Sequence, residues 1–135
     1  YMKTVDAIVE YSDKNLSAYI DGAPIAVVGD SISEIEKNMR EAVSLYVESC
    51  KELGIPVADI LQGEFELKFK VDAATLINCY SSVFTKAALS RITGINERQL
   101  WHYAAGVHRP RKAQLKKIQN GIRALSKELS VIDLV

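Results

Sequence analysis

The first half of the chain contains three short stretches in which apolar and polar residues alternate, and one short apolar run at residues 25–29. A period of two residues is typical of a half-buried β-strand, because successive side chains of a strand point to opposite sides. Turn-forming residues such as Asp21 and Gly22 separate the stretches. We therefore expect strands over residues 4–11, 16–21, 25–29 and 63–71. Their apolar sides are formed by Val5, Ala7, Val9, Tyr11, Leu16, Ala18, Ile20, Phe65, Leu67, Phe69 and Val71.

Between the third and fourth strands the pattern changes to that of a helix. Apolar residues from Ile35 to Leu53 recur every three or four positions, which predicts an amphipathic helix. Ser31 and Glu34 form a capping-box pattern at its start, and Gly54 predicts its end. A short helical turn is expected over residues 57–61. Residues 2–71 are thus predicted to form an α+β module of order β-β-β-α-β, with one helix covering a small sheet.

The second half, residues 72–135, has helical periodicity throughout. Capping residues predict helices from Asp72 to about residue 83, from Thr85 to 91, from Asn96 to 104, and from about Arg111 to 129. The fourth helix carries an apolar row spaced as in a coiled coil, and only its first turns are needed for the core. This row and the apolar residues 131–135 predict a homodimer or a higher even oligomer, with a disordered tail as the alternative. The apolar row consists of Leu115, Ile118, Ile122, Leu125 and Leu129.

A glycine corner joins the second and third of these helices. Gly94 can adopt the left-handed conformation of a tight turn, while Leu89, Ile95 and Leu100 supply apolar contacts across it. Such a corner presents the outward side of the third helix to the major groove of a duplex, where Arg, Gln and Glu can bind base edges. For Trp101, core packing and DNA contact are equally compatible with the sequence. The residues predicted to bind DNA are Thr85, Lys86, Asn96, Glu97, Arg98, Gln99, Trp101, His102, Arg109, Arg111 and Lys112.

The segment from Thr85 into the fourth helix resembles the helix-turn-helix of phage-repressor and Xre-type regulators. The resemblance implies that the second domain binds double-stranded operator DNA. The alternative is a helical bundle whose basic residues are merely solvated. Charge favours DNA binding: residues 71–135 contain ten Lys and Arg against four Asp and Glu, a net charge of +6. Residues 1–70 contain seven against 13, a net charge of −6.

The first half resembles the HicB antitoxin family. The resemblance is carried by residues 16–20 (Leu-Ser-Ala-Tyr-Ile), residues 29–34 (Gly-Asp-Ser-Ile-Ser-Glu), Asn38, and Glu41 with Ala42. It implies a partial RNase H-like fold that neutralises a small basic, mRNA-cleaving HicA-like toxin, and a chain that represses its own operon. An acidic surface suits a partner that must hold RNA phosphate. The residues expected to touch this toxin, unless they are simply solvated, are Asp6, Glu10, Asp13, Asp21 and Asp30.

Several other classes of protein are not expected. The sequence has no apolar run long enough to span a membrane and no set of residues suited to catalysis, metal binding or cofactor binding. Cys50 and Cys79 are single cysteines, typical of buried thiols in a reducing cytoplasm. We therefore predict a cytoplasmic, non-enzymatic DNA-binding protein. The alternative to an antitoxin is a stand-alone transcriptional regulator whose first domain serves dimerisation or protein docking.

Overall fold

A computed structural model of the chain describes residues 2–11 and 14–135. Its fold class is α+β, as predicted, and the chain divides into two units, Tyr1–Asp72 and Ala73–Val135. The described residues of the first unit form strands, one long helix and a short 3₁₀ turn, and the second unit contains helices only. In the described part of the chain no helix combines the length and the apolar character needed to traverse a lipid bilayer.

The first unit contains a four-stranded sheet of order β3-β2-β1-β4. Its strands are β1 (Lys3–Tyr11), β2 (Leu16–Ile20), β3 (Ile25–Gly29) and β4 (Phe65–Val71). β1 pairs antiparallel with β2 and parallel with β4, and β2 pairs antiparallel with β3. The alternation expected from the sequence is present, since Val5, Ala7 and Val9 are buried while Asp6 and Glu10 are exposed. Tyr11 is the exception, because it lies at the end of β1 and is half exposed.

Helix α1 (Ile32–Leu53) packs on β3 and β2 and connects β3 to β4 at the other edge of the sheet. The hydroxyl of Ser31 accepts the N–H of Glu34 at 3.1 Å, and Gly54 ends the helix with a φ of 67°. Both signals are those the sequence predicts. Leu53 was expected on the apolar row but is 72% exposed, because the last turn of α1 extends beyond the buried part of that row. A 3₁₀ turn follows at Asp59–Leu61.

The second unit contains α2 (Ala73–Cys79), α3 (Lys86–Thr93), α4 (Glu97–Ala104) and α5 (Lys112–Ser130). Helix α2 is shorter than predicted. The N–H groups of Val83 and Phe84 both donate to the carbonyl of Tyr80, so the chain turns where residues 80–83 were expected to be helical. Ser81 and Ser82 favour such a turn, since serine competes with the helix for backbone bonds. The core of this unit consists of Ala73, Ile77, Leu89, Ile95, Leu100, Tyr103 and Ile118.

Helix α5 approaches the end of α3 very closely at Gly121. A Cβ at this position would overlap the carbonyl oxygen of Ile92. Ile118 joins the core as expected, but Leu115 is 45% exposed although it lies in the first turns of α5. Leu129 and the four apolar residues after α5 are also exposed.

The two cysteines differ in burial. Cys50 is buried in α1, and Cys79 is half-buried at the end of α2. Burial raises the pKa of the Cys79 thiol, because removal from water disfavours the thiolate.

Candidate nucleic-acid interface

The corner between α3 and α4 is built from backbone and hydroxyl hydrogen bonds. Gly94 has a φ of 76°, and its N–H donates to the carbonyl of Ser90. The buried hydroxyl of Thr93 donates to the carbonyl of Leu89 at 2.6 Å and accepts the N–H of Ile95 at 3.2 Å. Thr93 therefore joins the last turn of α3 to the corner. The sequence did not indicate this role of Thr93, because threonine within a helix has many possible roles.

Two predicted site residues cap the helices of this corner. The hydroxyl of Thr85 accepts the N–H of Ala88 at 3.0 Å, and the side-chain oxygen of Asn96 accepts the N–H of Gln99 at 2.8 Å. Each bond satisfies a backbone donor that the first turn of a helix leaves free. These two oxygens therefore stabilise the starts of α3 and α4. Only the other exposed atoms of Thr85 and Asn96 are free to contact a ligand.

Helix α4 has one buried and one exposed side. Leu100 is 1% exposed and Tyr103 is 3% exposed, which fixes the helix to the core. Glu97, Arg98 and Trp101 lie on the exposed side. Because Trp101 is 59% exposed, it lies outside the core, and its contact with DNA stays a prediction. Gln99 and His102 are half-buried at the margins of the exposed side.

Lys86 and Trp101 form a contact between the start of α3 and α4. The Nζ atom of Lys86 lies over the indole ring, 4.3 Å from its centroid. A cation over an aromatic face is attracted by the electrons of the ring. The sequence predicts Lys86 and Trp101 for the site as individual residues, and the structure shows that they contact each other.

The segment between α4 and α5 is strongly basic. Arg109, Arg111 and Lys112 are all exposed, and Arg111 precedes α5 without a side-chain bond to cap that helix. A polar recess gathers three predicted residues with three that the sequence reasoning missed. Its lining residues are Gln99, Tyr103, His108, Arg109, Arg111 and Gln114. Arginine side chains and the start of a helix both attract anions.

His102 has a neighbour that its position in the sequence does not suggest. Its ring centroid lies 5.0 Å from that of His108, because Gly106 reverses the chain with a φ of 75°. The N–H groups of Val107 and His108 both donate to the carbonyl of His102. Its Nδ1 atom is buried and has no hydrogen-bond partner within the described residues. His102 is therefore less free to face a ligand than the sequence predicted.

Asn78 was also missed. Its side-chain nitrogen donates to the carbonyl of Ala104 at 2.9 Å and so ties the end of α4 to α2. An asparagine within a helical pattern carries no signal for such a distant contact.

Among the acidic residues predicted in the first unit, the four that the structure describes do not form one group. In the strand register, Asp6 is nearest the turn that holds Asp21, whereas Glu10 pairs with Ser17 near the end that holds Asp30. Asp6 also lies beside Lys68 of β4. These four carboxylates are exposed. Asp13 lies outside the described residues.

No family model, curated protein or solved structure matches the chain.

Proposed function

We propose that Ala73–Val135 is a helix-turn-helix domain that binds double-stranded operator DNA with α4 in the major groove. The observation that carries this function is the two-sided character of α4. Leu100 and Tyr103 are buried, while Glu97, Arg98 and Trp101 are exposed. A helix that contacts the bases of DNA must be fixed to its domain on one side and exposed on the other. Arg98 can bind a guanine edge through two hydrogen bonds, and Glu97 can accept from cytosine.

The basic residues around α4 support the same function. Lys86 lies at the start of α3, and Arg109, Arg111 and Lys112 lead into α5. Contacts of this kind hold a duplex in register through its phosphates. The backbone N–H groups of the first turn of α5 add further donors for a phosphate oxygen. The net charge of +6 over residues 71–135 would also speed the approach to DNA.

For the chain as a whole we propose the antitoxin of a type II toxin–antitoxin pair, similar to the HicB family. In this role the first unit, as a partial RNase H-like module, neutralises a HicA-like toxin while the second represses the operon. The residues that carry this resemblance stabilise the local structure around α1. Ser31 caps α1, and the side-chain nitrogen of Asn38 donates to the carbonyl of Val28 at 2.9 Å. A Cβ at Gly29 would lie 3.3 Å from the backbone nitrogen of Ile35, so a larger residue would crowd α1.

A stand-alone regulator is the second candidate, and one observation favours it. The four described acidic residues expected to meet a toxin are divided between the two ends of the sheet. The side of the sheet that carries Asp6 also exposes Tyr19 and Val28. In the strand register Tyr19 and Val28 are diagonal neighbours, and exposed apolar residues that adjoin one another can form a docking surface. In either role the protein is cytoplasmic, non-enzymatic and a homodimer or higher even oligomer.

The decisive experiment measures binding to labelled DNA from upstream of the gene, at fixed salt, for the wild type and Arg98→Ala. Loss of one bidentate contact should weaken binding by about 10–100-fold. Arg123→Ala is the matched control, because it removes the same charge from an exposed position in the middle of α5. Equal affinities for the two variants would exclude Arg98 from the base-reading surface. Failure of the wild type to bind any duplex would refute the DNA-binding function.

A second experiment separates the two candidates. The chain is co-expressed with the product of a neighbouring short, basic open reading frame, and the complex is isolated. Co-purification with relief of toxicity supports the antitoxin. Persistent toxicity without a complex would refute that role and leave the stand-alone regulator. Light scattering of the purified chain then measures the oligomeric state, and a monomeric mass would contradict the dimer.

A further inference from the structure

Trp101 is the largest apolar side chain on the exposed side of α4. Its exposed fraction is 59%, although tryptophan is usually well buried. Arg98 lies three residues earlier and Glu97 four residues earlier, so the three side chains share one side of the helix. An indole of this size on the exposed side of α4 is accessible to a ligand.

Lys86 restricts how this indole can meet a ligand. Its ammonium group lies 4.3 Å from the ring centroid and therefore covers part of one ring face. The residue as a whole is still 59% exposed, so a large part of it stays accessible to a ligand. The cation–π attraction also limits the rotation of the ring, so that its exposed part is oriented before a ligand arrives.

We propose that Trp101 recognises the C5-methyl group of thymine in the major groove, an inference that depends on the proposed DNA-binding function. The major-groove edges of base pairs present hydrogen-bond donors and acceptors, and the thymine methyl is the one apolar group among them. An exposed indole beside Arg98 would thus read an A·T pair next to the base pair that Arg98 reads. Stacking on a base is disfavoured, because the bases of a duplex are already stacked.

A protein partner is the other possible ligand for an exposed tryptophan. The surroundings of Trp101 favour DNA, since Glu97, Arg98 and Lys86 are charged and the centres of protein interfaces are depleted of charge. The positive charge of the second unit, +6 over residues 71–135, points in the same direction.

The test begins with a duplex selected by the full-length protein from a random-sequence pool. Each thymine is then replaced singly by deoxyuridine, which removes the methyl group and leaves the hydrogen-bonding edge unchanged. For the wild type, one or two replacements should weaken binding by about fourfold, the effect of one buried methyl group. For Trp101→Ala the same replacements should have no effect. Val107→Ala, an exposed residue beyond α4, should respond like the wild type.

Fluorescence supplies an independent readout, because Trp101 is the only tryptophan of the chain. Addition of the thymine duplex should protect the indole from quenching by acrylamide, and the critical deoxyuridine duplex should protect it less. If every deoxyuridine duplex binds and protects like the thymine duplex, methyl recognition is wrong while DNA binding stands. Unprotected fluorescence in a tight DNA complex would also overturn the inference and point to a protein ligand. Failure to select any duplex would refute the DNA-binding function itself.

Discussion

The substitution Gly121→Ala tests the close approach between α5 and the end of α3. A Cβ at residue 121 would overlap the carbonyl oxygen of Ile92, and it would lie 2.9 Å from the Ile92 carbonyl carbon and 3.2 Å from the Cα of Thr93. All three are backbone atoms, so no side-chain rotation can relieve the overlap. Helix α5 would have to move away from α3, and the core contacts of Ile118 would loosen with it.

Two opposing effects determine the size of the change. In an open helix, alanine is more stable than glycine by about 1 kcal/mol. Overpacking costs typically ~1–3 kcal/mol, and an overlap with backbone belongs at the upper end of that range. We therefore expect a net loss of about 2 kcal/mol in the free energy of unfolding. For a unit of this size, the melting temperature should fall by roughly 8–16 °C.

Urea unfolding followed by Trp101 fluorescence and by circular dichroism measures this loss, since the fluorescence reports on the second unit alone. The control is Asn120→Ala, at the neighbouring exposed position of the same helix. It should stabilise the unit by up to about 0.7 kcal/mol, because alanine is the better helix former. If Gly121→Ala also raised the stability, the close packing of α5 on α3 would be wrong.

Two further substitutions test hydrogen bonds of the described residues. Thr93→Val should lower the free energy of unfolding by about 1–3 kcal/mol, because the buried N–H of Ile95 loses its acceptor. Thr93→Ser keeps the hydroxyl and should lose less, so an equal urea-measured loss for both variants would contradict the bond. Tyr46→Phe should cost about 1 kcal/mol and speed hydrogen exchange at Ala58, whose N–H donates to the Tyr46 hydroxyl at 2.9 Å. Unchanged exchange at Ala58 would show that the bond does not protect this amide.

Helix starts were predictable because their signals are local. Ser31, Thr85 and Asn96 each accept an N–H three residues later, so the capping residue and its partner lie together in the sequence. The strands were predictable for a similar reason, since alternation reports which side of a sheet is buried. Neither signal specifies the order of the strands in the sheet. That order depends on the parallel pairing of β1 with β4, two strands between which the sequence places α1.

The parts that the sequence did not predict depend on contacts between distant residues. The bond from Asn78 to the carbonyl of Ala104 joins two helices, and the approach of α5 to Ile92 joins two others. Gly121 is nevertheless a signal in the sequence, because a glycine inside a helix lowers the stability of that helix and often marks close packing. The contact between His102 and His108 has a different cause, since a chain reversal at Gly106 brings together two rings that lie six residues apart in the sequence.

The distribution of the acidic residues shows why a negative net charge does not by itself define an acidic surface. Residues 1–70 carry a charge of −6, but the strand register decides which charges meet. Asp6 lies beside Lys68 in the strand register, and Lys68 forms a 3.3 Å ion pair with Glu66. Glu10 lies four residues along β1, about 13 Å away at ~3.3 Å per residue, at the end of the sheet that also holds Asp30. Under the proposed antitoxin role, a basic toxin would therefore meet acidic side chains at two separate ends of the sheet and not on one continuous acidic surface.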